Sequence, residues 1–130
     1  MRYLLDTHFV IWWLAGSPRL TSTARQKIID NDCAVSAASL IEMQMKTATG
    51  KLAPPRGASA AKQLASEGFT VLSLTPEHIE DSARFEQAHA DFYDRLMLAT
   101  AAVEGRVLLT RDAALLDLAK KAGLSFVTEG

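Results

Sequence analysis

Cysteine is almost missing from this chain of 130 residues. Cys33 stands alone, which excludes an internal disulfide and fits a reducing compartment, where the residue most simply packs. Histidine is scarce as well: His8, His78 and His89 show no metal-ligand spacing. Charge of either sign is not in excess. With a net charge of −1, no basic field draws nucleic acid, so a polyanionic partner would need something other than bulk charge to hold it. Long apolar runs are absent too, and none approaches the ~20 residues of a membrane-spanning helix. The opening MRYLLDTHFVIWWLAG has the flavour of a leader, but Asp6 and His8 interrupt it and a strand starts at residue 3. The expectation is a cytoplasmic protein, with no membrane partner.

What is present is an ordinary globular composition, 48% hydrophobic and 22% charged, long enough for one domain over residues 1–130 with a core of its own. Short apolar runs alternate with helical stretches. Tyr3-Leu4-Leu5, Cys33-Ala34-Val35, Phe69 to Leu74, Val107-Leu108-Leu109 and Phe126-Val127 read as strands. Between them, helices are predicted from Phe9 to Leu14, from a Thr21-Ser22-Thr23 cap to about Asp30, and from a cap at Ser36 or Ser39 to Thr49. Further helices run through an Ala-rich stretch ending at Gly68, from Thr75-Pro76, from about Asp91, and over Asp112 to Lys121. Pro54-Pro55-Arg56-Gly57 reads as a loop. No repeat, linker or low-complexity tract breaks the pattern. Fully apolar strands alternating with helices imply an α/β fold, a three-layer α/β/α sandwich around a mostly parallel sheet. In such sheets the C-terminal ends of the strands form the edge where ligands bind.

Polar groups gather at that edge. Leu4-Leu5 runs into Asp6-Thr7, Ala34-Val35 into Ser36 with Glu42 in the following helix, and Leu108-Leu109 into Thr110-Arg111-Asp112. The helix near Asp91 can bring Asp94 from the side. Each acid has a plain structural reading. Asp6, Asp91 and Asp112 suit helix caps, Asp94 a first helical turn, and Glu42 a pair with Lys46 four residues on. The plain readings do not account for their joint position. Two carboxylates 4 Å apart repel by ~4 kcal/mol at an effective dielectric of 20, and a divalent cation reverses that sign. Oxygen ligands with few histidines suit Mg²⁺ or Mn²⁺, and a metal-loaded cleft of this kind suits phosphodiester hydrolysis.

The ordered set LLDTH, SAASLIEM with Lys46 beyond it, HADFYDRLMLATA and LLTRD resembles the PIN-domain ribonucleases, most closely the toxins of VapBC-type toxin–antitoxin pairs whose chains carry H-x-D-P-F-D-R-L. The resemblance spans essentially the whole chain. It implies that Asp6, Glu42, Asp94 and Asp112 are metal-binding, catalytic acids. It also implies a Mg²⁺- or Mn²⁺-dependent endoribonuclease acting on tRNA or rRNA, a homodimer, and inhibition by a small antitoxin. Two positions depart from the pattern: the usual Pro is replaced in Asp91-Phe92-Tyr93-Asp94, and Ile41 stands where a Trp is common.

The remaining candidates support these acids. Thr7 and Thr110 could hold a metal-bound water or a carboxylate's second oxygen. Arg95, Arg111 and Lys46 could contact phosphates, and Asp91 is a cap that could also touch the site. Trp12 and Trp13 fit the core and its margin, or together with Phe9 and Phe85 a partner-facing apolar surface. Two other functions compete: a catalytically silent module that binds RNA or protein, and a haloacid-dehalogenase-type phosphatase. The second would need an Asp where His8 stands.

Overall fold

The computed structural model describes residues 1–53 and 59–130; the expected Pro54-Pro55-Arg56-Gly57 loop lies outside them. In chain order the elements are β1 (Arg2–Leu5), α1 (Thr7–Ala15), α2 (Ser22–Ile29), β2 (Asp32–Ser36), α3 (Ala37–Ala48) and α4 (Ala60–Ser66). There follow β3 (Thr70–Leu72), α5 (Pro76–Ser82), a 3₁₀ turn (Ala83–Phe85), α6 (Phe92–Glu104), β4 (Val107–Thr110), α7 (Ala113–Ala122) and β5 (Val127–Glu129). The strands lie in the order β3-β2-β1-β4-β5 and every neighbouring pair is parallel.

Strand alternation divides the core between the two faces of this sheet. Tyr3, Leu5, Cys33, Val35 and Leu109 pack with Phe9, Val10, Leu20, Ile28 and Leu64 on one side. Leu4, Ala34 and Leu108 pack with Phe85, Leu96, Leu98 and Leu115 on the other. Because both faces are covered, the strands can be apolar throughout, and the three-layer sandwich expected from their composition is what forms. The helix α3 contributes Leu40 and Met43 to the first cluster and Ala38 to the second, and it touches both α1 and α6.

Several boundaries differ from the sequence reading for local reasons. The first helix starts at Thr7 rather than Phe9, because Asp6 is its cap and accepts from the Thr7 amide at 2.7 Å. Ser36, not Ser39, caps α3 by accepting from the Ala38 amide, while Ser39 is engaged by the Thr7 hydroxyl at 2.9 Å. Strand β3 stops at Leu72, and β5 begins one residue after Phe126. The partner surface expected of Trp12, Trp13, Phe9 and Phe85 does not exist as one patch. Phe9 and Phe85 are both buried, in cores on opposite faces of the sheet. His78 is structural: it forms a capping box with Thr75, and its Nε2 lies 2.8 Å from Glu104. Cys33 is buried among apolar neighbours, and that burial pushes its thiol up to about 11, so it packs rather than reacts.

Helix α6 carries Asp94 at its start, so its packing sets how firmly that carboxylate is held. Leu98 on α6 is fully buried. Leu98→Ala should lower the unfolding free energy by about 2–5 kcal/mol, read from urea denaturation; a loss below that range would mean that α6 is only loosely packed on the sheet.

Candidate active site

Strands β1 and β4 are adjacent at the centre of the sheet, with Leu5 level with Leu109. Parallel strands in that register end at the same edge, so the residues that follow them meet. The Asp6 amide continues the ladder by donating to the Leu109 carbonyl at 3.0 Å. Its carboxylate accepts from the Thr110 hydroxyl at 2.7 Å, and the same hydroxyl oxygen accepts from the Asp112 amide at 3.0 Å. One side chain thereby ties Asp6 to Asp112. Asp112 also caps α7 through the Leu115 amide, as its capping reading expects. Asp6 is only 5% exposed, and burial raises its pKa. The Thr110 and Thr7 hydrogen bonds and the charge of His8 oppose that rise, while the charge of Asp112 adds to it.

Asp94 approaches from α6. Asp91 caps that helix by accepting from the Asp94 amide at 2.9 Å. Of the two acids that open the helix, one closes its end and the other faces the sheet edge. The His89 ring lies against Asp94, Nε2 to Oδ2 at 2.7 Å. Burial pushes the Asp94 carboxyl up to about 6, the charges of Asp91 and Asp6 push the same way, and His89 opposes them. Asp94 and Asp6 therefore share one electrostatic environment. Sequence reasoning weighs His89 only as a metal ligand and misses this contact. Its place five residues before Asp94 is the available signal.

Glu42 is held differently. Its carboxylate is largely covered and pairs with Lys46 at 3.7 Å. It stands one turn beyond Ser39, whose hydroxyl contacts Thr7 and lies 3.9 Å from the sulfur of Met97, itself one turn after Asp94. Thr7 thus braces α1 against α3 rather than facing the acids. Neither arginine pairs with an acidic side chain among the described residues. Arg95 donates to the carbonyls of His89 and Ala90, so it braces the His89 loop rather than presenting a free guanidinium. Arg111 donates to the carbonyls of Gly130 and Arg19 and to the Thr21 hydroxyl. Beside Asp6 and Asp112 opens a cavity of about 250 Å³ whose other walls are His8, Phe9, Trp12, Arg19 and Arg111; nothing in the sequence reading places His8 or Arg19 there.

The PIN-domain family profile matches residues 3–121. The chain belongs to the PIN-domain family. Solved structures share this fold at low identity. The VapBC complex of Salmonella typhimurium bound to DNA superposes with a TM-score of 0.68, at 17% identity, covering 100% of this chain and 97% of that one. A toxin–antitoxin complex from Klebsiella pneumoniae gives 0.63 at 21% identity, covering 97% and 95%. VapBC2 of Rickettsia felis, bound to a promoter fragment, gives 0.63 at 15%, covering 99% and 98%. No curated protein gives a sequence match.

The donor chemistry of this PIN domain suits a hard divalent cation: carboxylate oxygens, two of them with raised pKa values, crowded at one edge. Among the described residues no three of His, Cys, Asp and Glu come close enough together to hold a metal ion by themselves. An ion that keeps several of its own waters, as Mg²⁺ does, fits such an open set better than one that needs a full protein shell. The raised Asp94 also has a consequence for stability. Between about pH 4, the ordinary aspartate range, and about 6, the folded chain retains a proton that the unfolded chain has released. Stability therefore falls as pH rises through that window. Asp94→Asn should become progressively more stable than the parent from pH 4 to 6.5 in metal-free buffer, by urea unfolding; a difference that does not vary with pH would contradict the assignment.

Proposed function

We propose that this PIN domain is a VapC-type toxin. It acts as a Mg²⁺- or Mn²⁺-dependent endoribonuclease on tRNA or rRNA, works in the cytoplasm as a homodimer, and is restrained by a small antitoxin. The observation that carries the reading is the Thr110 bridge between Asp6 and Asp112, with the Asp94 carboxyl pressed up by burial and by the Asp6 charge. The toxin–antitoxin complexes among the structural neighbours support the antitoxin partner. No helix among the described residues is long and apolar enough to cross a membrane.

In this reading Asp6, Asp94 and Asp112, with Glu42 completing the set, would hold the ion. Once bound, it supplies a hydroxide at neutral pH and charge stabilisation for the leaving oxygen. The rest of the chemistry is orientation by the chain itself. The Thr110 hydroxyl holds Asp6 Oδ2 and the Thr7 amide holds Oδ1, which together fix the carboxylate. His89 and the Asp91 cap fix Asp94, and Arg95 fixes the loop that carries His89. Lys46 steadies Glu42 and, with Arg111, offers positive charge to substrate phosphates.

The test is cleavage of total tRNA and of rRNA by purified protein. Parent protein with Mg²⁺ or Mn²⁺ should cut, and EDTA should stop it. Replacing even an outer partner of a metal site typically costs 10–100-fold, so Asp94→Asn should lose about a hundredfold or more while its circular dichroism spectrum stays the same. Cleavage that survives EDTA, or an Asp94→Asn variant as active as the parent, contradicts the proposal.

A further inference from the structure

We propose that the cavity beside Asp6 and Asp112 is a nucleotide subsite: it seats one unstacked base of single-stranded RNA against Trp12 and the phosphate next to that base on Arg111 and Arg19. The inference rests on the nuclease reading above and assigns residues that the acid set does not explain.

Two features of the cavity point to a nucleotide. The first is the charge of Arg111. Its three hydrogen bonds go to the backbone oxygens of Gly130 and Arg19 and to the Thr21 hydroxyl, and among the described residues it pairs with no Asp or Glu side chain although Asp6 and Asp112 line the same cavity. Its guanidinium also lies 5.8 Å from the Trp12 ring and 5.9 Å from that of Phe9. The guanidinium is thus fixed in place without a side-chain carboxylate partner, a pre-organised arrangement that loses little entropy on binding a phosphate. Arg19 is exposed at the rim of the same cavity.

The second feature is aromatic. Trp12 is only partly covered, its buried edge set by Phe9 in a T-shaped contact at 5.6 Å. His8, one turn earlier on α1, is exposed, makes no hydrogen bond among the described residues, and lies 5.9 Å from Trp12 at a 40° tilt. Both rings line the cavity, with Trp12 as its wall held by Phe9. At about 250 Å³ the cavity is smaller than the ~300–1,000 Å³ that encloses whole small molecules, a size for a single base rather than a base pair. Base–aromatic stacking combined with cations that track the backbone is how single strands are held. In a protein of net charge −1, such a subsite supplies affinity that bulk charge does not. It also selects single strands and loops, because a paired base cannot enter.

The test uses the cleavage-dead Asp94→Asn protein with Mg²⁺ and a fluorescein-labelled single-stranded RNA hexamer, with affinity read by anisotropy. Adding Trp12→Leu should weaken binding about tenfold or more, the size of one stacking contact, and Trp12→Phe should restore most of it. An abasic residue at one position of the hexamer should weaken binding to the protein that keeps Trp12 by a similar factor and make the Trp12→Leu change silent. Equal affinity with and without the Trp12→Leu change, in a chain whose parent form cuts RNA, overturns the subsite and leaves the nuclease reading intact. A parent that neither cuts RNA nor binds the hexamer overturns the nuclease reading, and the subsite with it.

Discussion

The hydroxyl of Thr110 is the contact on which the rest of the site depends. It donates to Asp6 and accepts from the Asp112 amide, joining the ends of two neighbouring central strands and the start of the helix after the second. That contact exists because β1 and β4 are parallel and in register, and the register exists because their alternate residues fill two separate cores. Apolar side chains in the middle of the strands thus decide where the carboxylates stand, several residues away. The arrangement opposes the fold's own electrostatics. Burial and neighbouring like charge raise the pKa values of Asp6 and Asp94, a cost that the proposed cation would offset.

The supporting shell is divided among short local devices. Asp91 closes the helix that presents Asp94, His89 turns the Asp94 carboxylate, and Arg95 holds the loop bearing His89. Thr7 and Ser39 clasp α1 to α3, the helix that carries Glu42. Each is an ordinary cap, clasp or brace taken alone. Together they fix Asp94 and brace the helix that carries Glu42, and among the described residues none of these carboxylates pairs with an arginine.

Much of this is legible in the sequence. The strands are readable because both faces of a covered parallel sheet demand apolar side chains, and Leu4-Leu5 and Leu108-Leu109 have nothing else to do. Asp6 and Asp112 follow from the strand ends, and Asp91 from helix capping. The tie through Thr110 is among the readings open for that residue. What is not legible depends on side-chain direction. Arg95 and Arg111 follow or adjoin acids in sequence, yet turn to carbonyls elsewhere, Gly130 lying 19 residues from Arg111 and Arg19 lying 92. The His89–Asp94 contact requires knowing that the chain folds back before α6. Trp12, His8 and Arg19 form one wall only because α1 and the segment after it curl over the end of β4, and no spacing in the sequence encodes that meeting.

The central claim is that the crowded acids at the sheet edge are completed by a divalent cation, and thermal unfolding with Mn²⁺ tests it without reference to substrate. Binding to the folded state at a hundred times the dissociation constant adds about 2.7 kcal/mol, which in a domain of this size raises the melting temperature by several degrees. The parent protein should show that rise in millimolar Mn²⁺, and Asp6→Asn should show little of it. A parent melting curve unmoved by the metal, or a rise of the same size in Asp6→Asn, would contradict the account.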